Sequence, residues 1–185
     1  TLNKNLFVYG GDIAVSGMGV INSIQTLLIM PIIGLNQGVQ PIISFNYGAR
    51  KNDRVKEAVK LAIKIATIVV TSGFIITRLF PVQLISLFNR DPELISFGRS
   101  AIFAWFLCFP VVGFQIVSAN FFQAIGRPKS SMFLTLTRQL ILLIPAIIVF
   151  PKLWGLKGLL YAAPLADFLS FLLTAVFFYS GIKKL

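Results

Sequence analysis

The chain has 185 residues, of which 17 are Lys or Arg and 6 are Asp or Glu; charged residues make up 12% of it and apolar or aromatic ones 56%, where ordinary soluble domains carry about 25% charge. A water-facing surface cannot be built from that mixture, and the apolar content, 14 Gly, 9 Pro and one Cys exclude disordered, collagen-like, low-complexity and disulfide-framework chains. An all-α fold remains, a polytopic bundle of transmembrane helices. The net charge of +11 does not point to nucleic acid, because the basic residues sit at the ends of apolar runs rather than on one polar face.

In chain order, Thr1 to Tyr9 reads as the end of an earlier span, followed by a short loop at Gly10, Gly11 and Asp12. With no initial Met and no signal-peptide pattern, the sequence is expected to be a piece of a longer protein. The first full span is residues 13–47, which as a straight helix would be about 52 Å long against a hydrocarbon core of about 30 Å. It is expected to break at Pro31, Gly34, Gly38 and Pro41. Asn22, Gln25, Asn36, Gln37, Gln40 and Asn46 bring amides into this apolar stretch. They either line an aqueous path or bond between helices, with Gly34 and Gly38 forming a small-residue contact surface.

The second span, residues 58–80, ends at Pro81, and its Lys60 and Lys64 can snorkel to one interface. Residues 82–88 are expected to lie in the interface. Asp91-Pro92-Glu93 then supplies an N-cap, a proline at the first helical position and an acid in the first turn. The third span is residues 100–124, with Pro110 and Gly113 at its middle, aromatics around them, and Gln115, Ser118, Asn120 and Gln123 beyond. The fourth is residues 132–150, opened by Ser130 or Ser131 and stopped by Pro151, and the fifth is residues 156–182. Five spans plus the remnant of a sixth are expected. Arg50, Lys51, Arg54, Lys56, Lys60, Arg127, Lys129, Lys183 and Lys184 fall on one side and outnumber Lys4, Arg78, Arg90, Arg99, Lys152 and Lys157 on the other, which places the C-terminus in the cytoplasm of a cell (inner) membrane.

Enzyme signatures are absent: no His, no CxxC, no phosphate-binding GxxxxGK[ST], no HExxH and no G-x-S-x-G. No catalysis, metal or cofactor is expected, and Cys108 has no partner for a disulfide. Asp167 is the one acid inside a span. A lipid-facing carboxylate there would cost several kcal/mol, so it is expected to face protein or water. Asp167, Ser170 and Thr174 form one polar stripe by their i, i+3, i+7 spacing, one turn after Pro164. The stripe is either a protonation or cation site or a fixed interhelical contact. Arg138 is the obvious counter-ion, but helix rise puts it about 10 Å above the cytoplasmic end of its span and Asp167 about 22 Å above the same plane. Arg138 is therefore expected to snorkel to the interface rather than pair directly, with a cavity-facing role as the alternative.

The segment Gly34-Leu-Asn-Gln-Gly38-Val-Gln-Pro41-Ile-Ile-Ser-Phe-Asn46-Tyr-Gly48-Ala49 resembles the eighth-helix motif of multidrug and toxic compound extrusion (MATE) transporters. Gln123-Ala-Ile-Gly126-Arg127-Pro128 resembles the end of that family's tenth helix, Arg138 with Pro145 its eleventh, and Gly155-Leu-Lys-Gly158 with Pro164 and Asp167 its twelfth, most like the MepA branch. The resemblance covers nearly the whole chain. It implies a C-terminal lobe lacking most of its seventh helix, from a protein of two six-helix lobes that exchange H⁺ or Na⁺ for organic cations by alternating access. The acids of the sodium site known in some members have no counterpart in residues 100–124. The proton-carrying acid of other branches lies in the N-terminal lobe, which leaves Asp167 as the ion-coupling candidate.

Two other functions stay open beside multidrug antiport: a lipid-linked saccharide flippase of the same superfamily, which would need an Arg-rich cavity, and a non-transporting membrane scaffold. The candidate cavity-lining residues are Asn22, Gln25, Asn36, Gln37, Gln40, Gln115, Ser118, Ser170 and Arg138, and the expected partners are the lipid bilayer, organic cations and a missing N-terminal lobe.

Overall fold

The computed structural model describes residues 2–183 and 185. Thr1, where the expected span remnant opens, and Lys184, one of the basic residues counted above, lie outside them. Among the described residues every regular element is helical: α1 Leu2–Gly48, α2 Asn52–Leu79, α3 Pro81–Ser86, α4 Pro92–Trp105, α5 Phe109–Ala124 and α6 Pro128–Leu136. A π-helical stretch, Thr137–Leu143, then leads into α7, Ile144–Lys183. Three of the runs are long and apolar enough to cross a membrane: Leu2–Gly48, Asn52–Leu79 and the continuous Pro128–Lys183. α4 and α5 make a fourth if the bent pair counts as one.

α2 illustrates why the surroundings of the bundle are apolar. Val55, Val59, Ala62, Ala66, Val70, Gly73 and Thr77 are buried at helical spacing, yet the opposite face exposes Leu61, Ile65, Ile68 and Ile76. In water that outer face would be polar; a helix apolar all round belongs in lipid. The buried side uses small residues, which lets backbones approach. A Cβ added at Gly113 of α5 would fall 2.9 Å from the Ala66 carbonyl oxygen of α2.

The main core runs through α1, α2, α4, α5 and α7, with Ile21, Ile102, Phe106 and Leu159 fully buried. A smaller core of Ile43, Val55, Val59, Phe121 and Phe122 closes the end where the basic α1–α2 turn lies. As the spacing predicts, the Asp91 carboxylate caps α4, accepting from the backbone N–H groups of Glu93 at 2.8 Å and Leu94 at 3.4 Å.

The breaks differ from those expected. In α1 the only non-helical dihedrals are at Gly11 (φ 66°, ψ −165°), so the expected loop at residues 10–12 is a single-residue joint. Pro31, Gly34, Gly38 and Pro41 all lie within continuous helix. A proline removes one N–H and pushes on the carbonyl four residues back, and a helix braced on several sides absorbs that as strain or a gentle bend. α1 is braced by α2, α4, α5 and α7.

The third span, expected to be one helix, is instead cut between Trp105 and Phe109 and bends by 56°. Pro110 is the cause, since its ring disfavours a helical carbonyl at Phe106. α6 starts at Pro128 rather than at a serine cap, and Pro151 lies inside α7, which runs on to a break at Trp154 and Gly155 (φ 57°). Gly takes that left-handed conformation without a Cβ clash. The chain reverses there: Phe133 and Phe177, 44 positions apart, have ring centroids 5.4 Å from each other.

The π-helical stretch has no counterpart among the expected elements. It immediately precedes Ile144-Pro145, and the missing Pro145 N–H leaves the Ile141 carbonyl without its usual donor. The wider turn displaces the buried face. With Leu134 and Thr137 inward, a regular helix would turn Ile141 inward as well; Ile141 is 60% exposed, and Ala146 and Ile147 are buried instead.

Candidate functional site

Asp167 is buried in the second leg of α7, and its Oδ1 accepts from Arg138 Nε at 2.7 Å. The expectation that Arg138 snorkels away without pairing is therefore corrected. Rise arithmetic treats both helices as upright ideal rods and compares Cα heights. The π turn re-aims the first leg, the Gly155 reversal brings the second beside it, and the long Arg side chain closes the remaining distance. The Arg138 side chain is 27% exposed and that of Asp167 8%. A pair this buried holds together through its geometry, and removing one partner leaves the other charge without compensation.

Two chambers lie beside this pair, both lined by Arg138 and only the larger by Asp167. The larger, about 220 Å³, is lined by Asn22 and Gln25 of α1, Trp105 of α4, Arg138 and Gln139 of the π stretch, and Asp167. Trp105 Nε1 donates to Gln25 Oε1 at 3.0 Å, which fixes the bend between α4 and α5 against α1. The smaller, about 80 Å³, is lined by Gln115 and Ala119 of α5, Thr135 of α6, Arg138, and Ser170 and Thr174 of α7. Gln115 Nε2 donates to the Asp167 backbone carbonyl at 2.7 Å, while its Oε1 is buried without a hydrogen-bond partner.

The structure thus gathers part of the expected set. Asn22, Gln25, Arg138 and Asp167 converge on the larger chamber, and Gln115, Ser170 and Arg138 on the smaller. Asp167, Ser170 and Thr174 are all buried, on the one face their spacing gives. Asn36 and Ser118 are buried outside both chambers: Asn36 receives on its backbone carbonyl a bond from Asn120 Nδ2 at 3.3 Å. Gln37 is exposed and Gln40 half-buried, and neither lines a chamber. Gly34 and Gly38 do not form a contact surface within this chain, since a Cβ added at either meets nothing within 4 Å.

Sequence reasoning did not place Gln139 or Trp105 in the site. Nothing in the sequence marks Gln139, whose inward direction depends on the π turn; Trp105 was visible as one of the aromatics around Pro110, and it is the last residue of α4, at the break.

The chain is thus a helical membrane lobe in which a partly buried ion pair stands beside two chambers of mixed lining. The family model described as MatE matches residues 5–149, and the chain belongs to that family. Among curated relatives it is 29% identical over 156 residues to the FAD transporter of Shewanella oneidensis, covering 84% of this chain and 34% of the relative. It is 22% identical over 182 residues to the multidrug export protein MepA of Staphylococcus haemolyticus, covering 98% and 40%. A solved structure of the MATE multidrug transporter DinF-BH shares 39% identity and superposes with a TM-score of 0.83 over 95% of this chain and 39% of that one. The chain therefore spans about two-fifths or less of the length of these proteins, and its fold is that of a MATE half.

Proposed function

We propose that this chain is one lobe of a secondary transporter in the cell (inner) membrane that exports amphipathic organic cations in exchange for H⁺ or Na⁺ by alternating access. It crosses the bilayer five times beyond an opening remnant, near residues 13–47, 58–80, 100–124, 132–150 and 156–182, with its C-terminus in the cytoplasm. The observation that carries this proposal is the buried Asp167–Arg138 pair on the wall of a chamber otherwise made of amides, an indole and apolar groups. An ionisable group inside a membrane span is a functional-site hypothesis by default, with its partner named, and the relatives named for multidrug export support the substrate class. Asp167 couples the ion, and Asn22, Gln25 and Trp105 face the cargo.

The intact protein that carries this lobe, reconstituted in vesicles, should move ethidium against its gradient when given a pH or sodium gradient. Transport indifferent to both gradients would remove the coupling. Asp167→Asn should reach the membrane and export less.

A second cargo class is favoured by one observation: the relative at 29% identity is named an FAD transporter. Direct competition between a flavin nucleotide and ethidium in the same vesicles separates the two. Against a saccharide-lipid flippase stands the ion pair itself, because Arg138, the one arginine lining either chamber, is already neutralised by Asp167. A scaffold role predicts that Asp167→Leu leaves the phenotype unchanged.

A further inference from the structure

Arg138 lines both chambers, whereas Asp167 lines only the larger one. Arg138 therefore stands between a space wide enough for part of a flat organic molecule and a space of about 80 Å³, which has room for several waters. The small space has a mixed lining, Ile116, Ala119 and Leu134 beside Gln115, Thr135, Arg138, Ser170 and Thr174. Ser170 and Thr174 are 2% and 1% exposed, and Gln115 is 6% exposed with its Oε1 lacking a donor. Gln115 cannot rotate to relieve this without losing the bond from its Nε2 to the Asp167 carbonyl. A buried acceptor of this kind needs a donor.

We propose that the small chamber between α5, α6 and α7 holds the water that carries protons to and from Asp167, by way of Arg138 and apart from the larger chamber, because Gln115, Ser170 and Thr174 line it together with Arg138, the residue that pairs with Asp167. It rests on the reading of Asp167 as the ion-coupling acid and adds to it a separate route for the ion. The proton leaves the Asp167 carboxyl for a chamber water as the guanidinium swings aside, and the carboxylate left behind is again neutralised by Arg138. A metal cation suits the chamber poorly, since no carboxylate lines it and a guanidinium does. Of the titratable and charged groups among the described residues, Arg138 acts on Asp167, and Asp167 in turn acts on Cys108 at the α4–α5 bend. α1, α4 and α5 otherwise bring the amides of Asn22, Gln25 and Gln115 and the Trp105 indole.

The test fills the small chamber and leaves the large one alone. Ala119→Leu adds three carbons to the chamber wall, and Thr174→Val removes a hydroxyl at constant shape. In the intact protein in vesicles, ethidium binding should change by less than about twofold. Transport driven by a pH gradient should fall about tenfold in Ala119→Leu and several-fold in Thr174→Val. Where Ala119→Leu fails to reach the membrane, Ala119→Val and Thr174→Val carry the test. Unchanged proton-driven rates in the chamber variants overturn the proposal, as does transport that follows a sodium gradient at constant pH. Asp167→Asn is measured in parallel. If it keeps full proton-driven transport, the coupling role itself has failed; if it loses transport while the chamber variants keep it, only the route has failed.

Discussion

Residues 31–41 and residues 137–155 pose the same problem in sequence, prolines and glycines inside a long apolar helix, and they resolve it in opposite ways. In the first, Pro31 and Pro41 are carried within continuous helix, and a Cβ at either glycine between them meets nothing within 4 Å among the described residues. In the second, Pro145 follows a π turn and Gly155 ends the leg in a full reversal. The difference lies in the neighbours: α1 packs on α2, α4, α5 and α7 through the face away from its exposed prolines and glycines, whereas the π stretch turns Arg138 toward a leg that arrives only after the reversal. Proline marks where a carbonyl loses its donor, and packing decides whether the helix bends, widens or stops there.

The sharpest way to break this comparison is at the ion pair. Arg138→Leu should cost about 1–3 kcal/mol by taking away the charge-assisted hydrogen bond to the buried Asp167 carboxylate, read from reversible unfolding in mixed micelles. Arg138→Leu combined with Asp167→Leu should recover most of that. If the single change costs nothing, the pair is not what holds the second leg in place.

Glycine packing sharpens the contrast between the regions at smaller scale. Gly113→Val should cost about 1–3 kcal/mol by forcing α5 off α2, because a Cβ there meets the Ala66 carbonyl oxygen. Trp105→Phe removes the donor to Gln25 and should cost about 1 kcal/mol, with a larger change in ethidium affinity than in stability. Gly38→Ala should be the mildest, a gain of about 0.5 kcal/mol in helix stability in this lobe alone. A loss at Gly38 in the intact protein, with a gain in the lobe, would show that another part of the protein covers that face.

Much of this was legible in the residues. The apolar runs, the Asp91 cap and the Asp167, Ser170, Thr174 face follow from local spacing, which a helix enforces whatever surrounds it. The amides divided: Asn22, Gln25 and Gln115 reach the chambers, while Asn36, Gln37 and Gln40, equally polar and on the same kind of helix, do not. No local signal separates the two groups, because a chamber is a property of several helices at once.

Composition and period fixed the solvent, since in lipid a chain satisfies its backbone polar groups as helices or as a closed barrel, and long unbroken apolar runs select helices. They also marked Asp167 as the acid that needs a partner. Which partner it takes was decided in three dimensions. The register of Arg138 depends on a π turn, and its nearness on a reversal at Gly155, both of which follow from how the helices pack and neither of which can be counted along a straight rod.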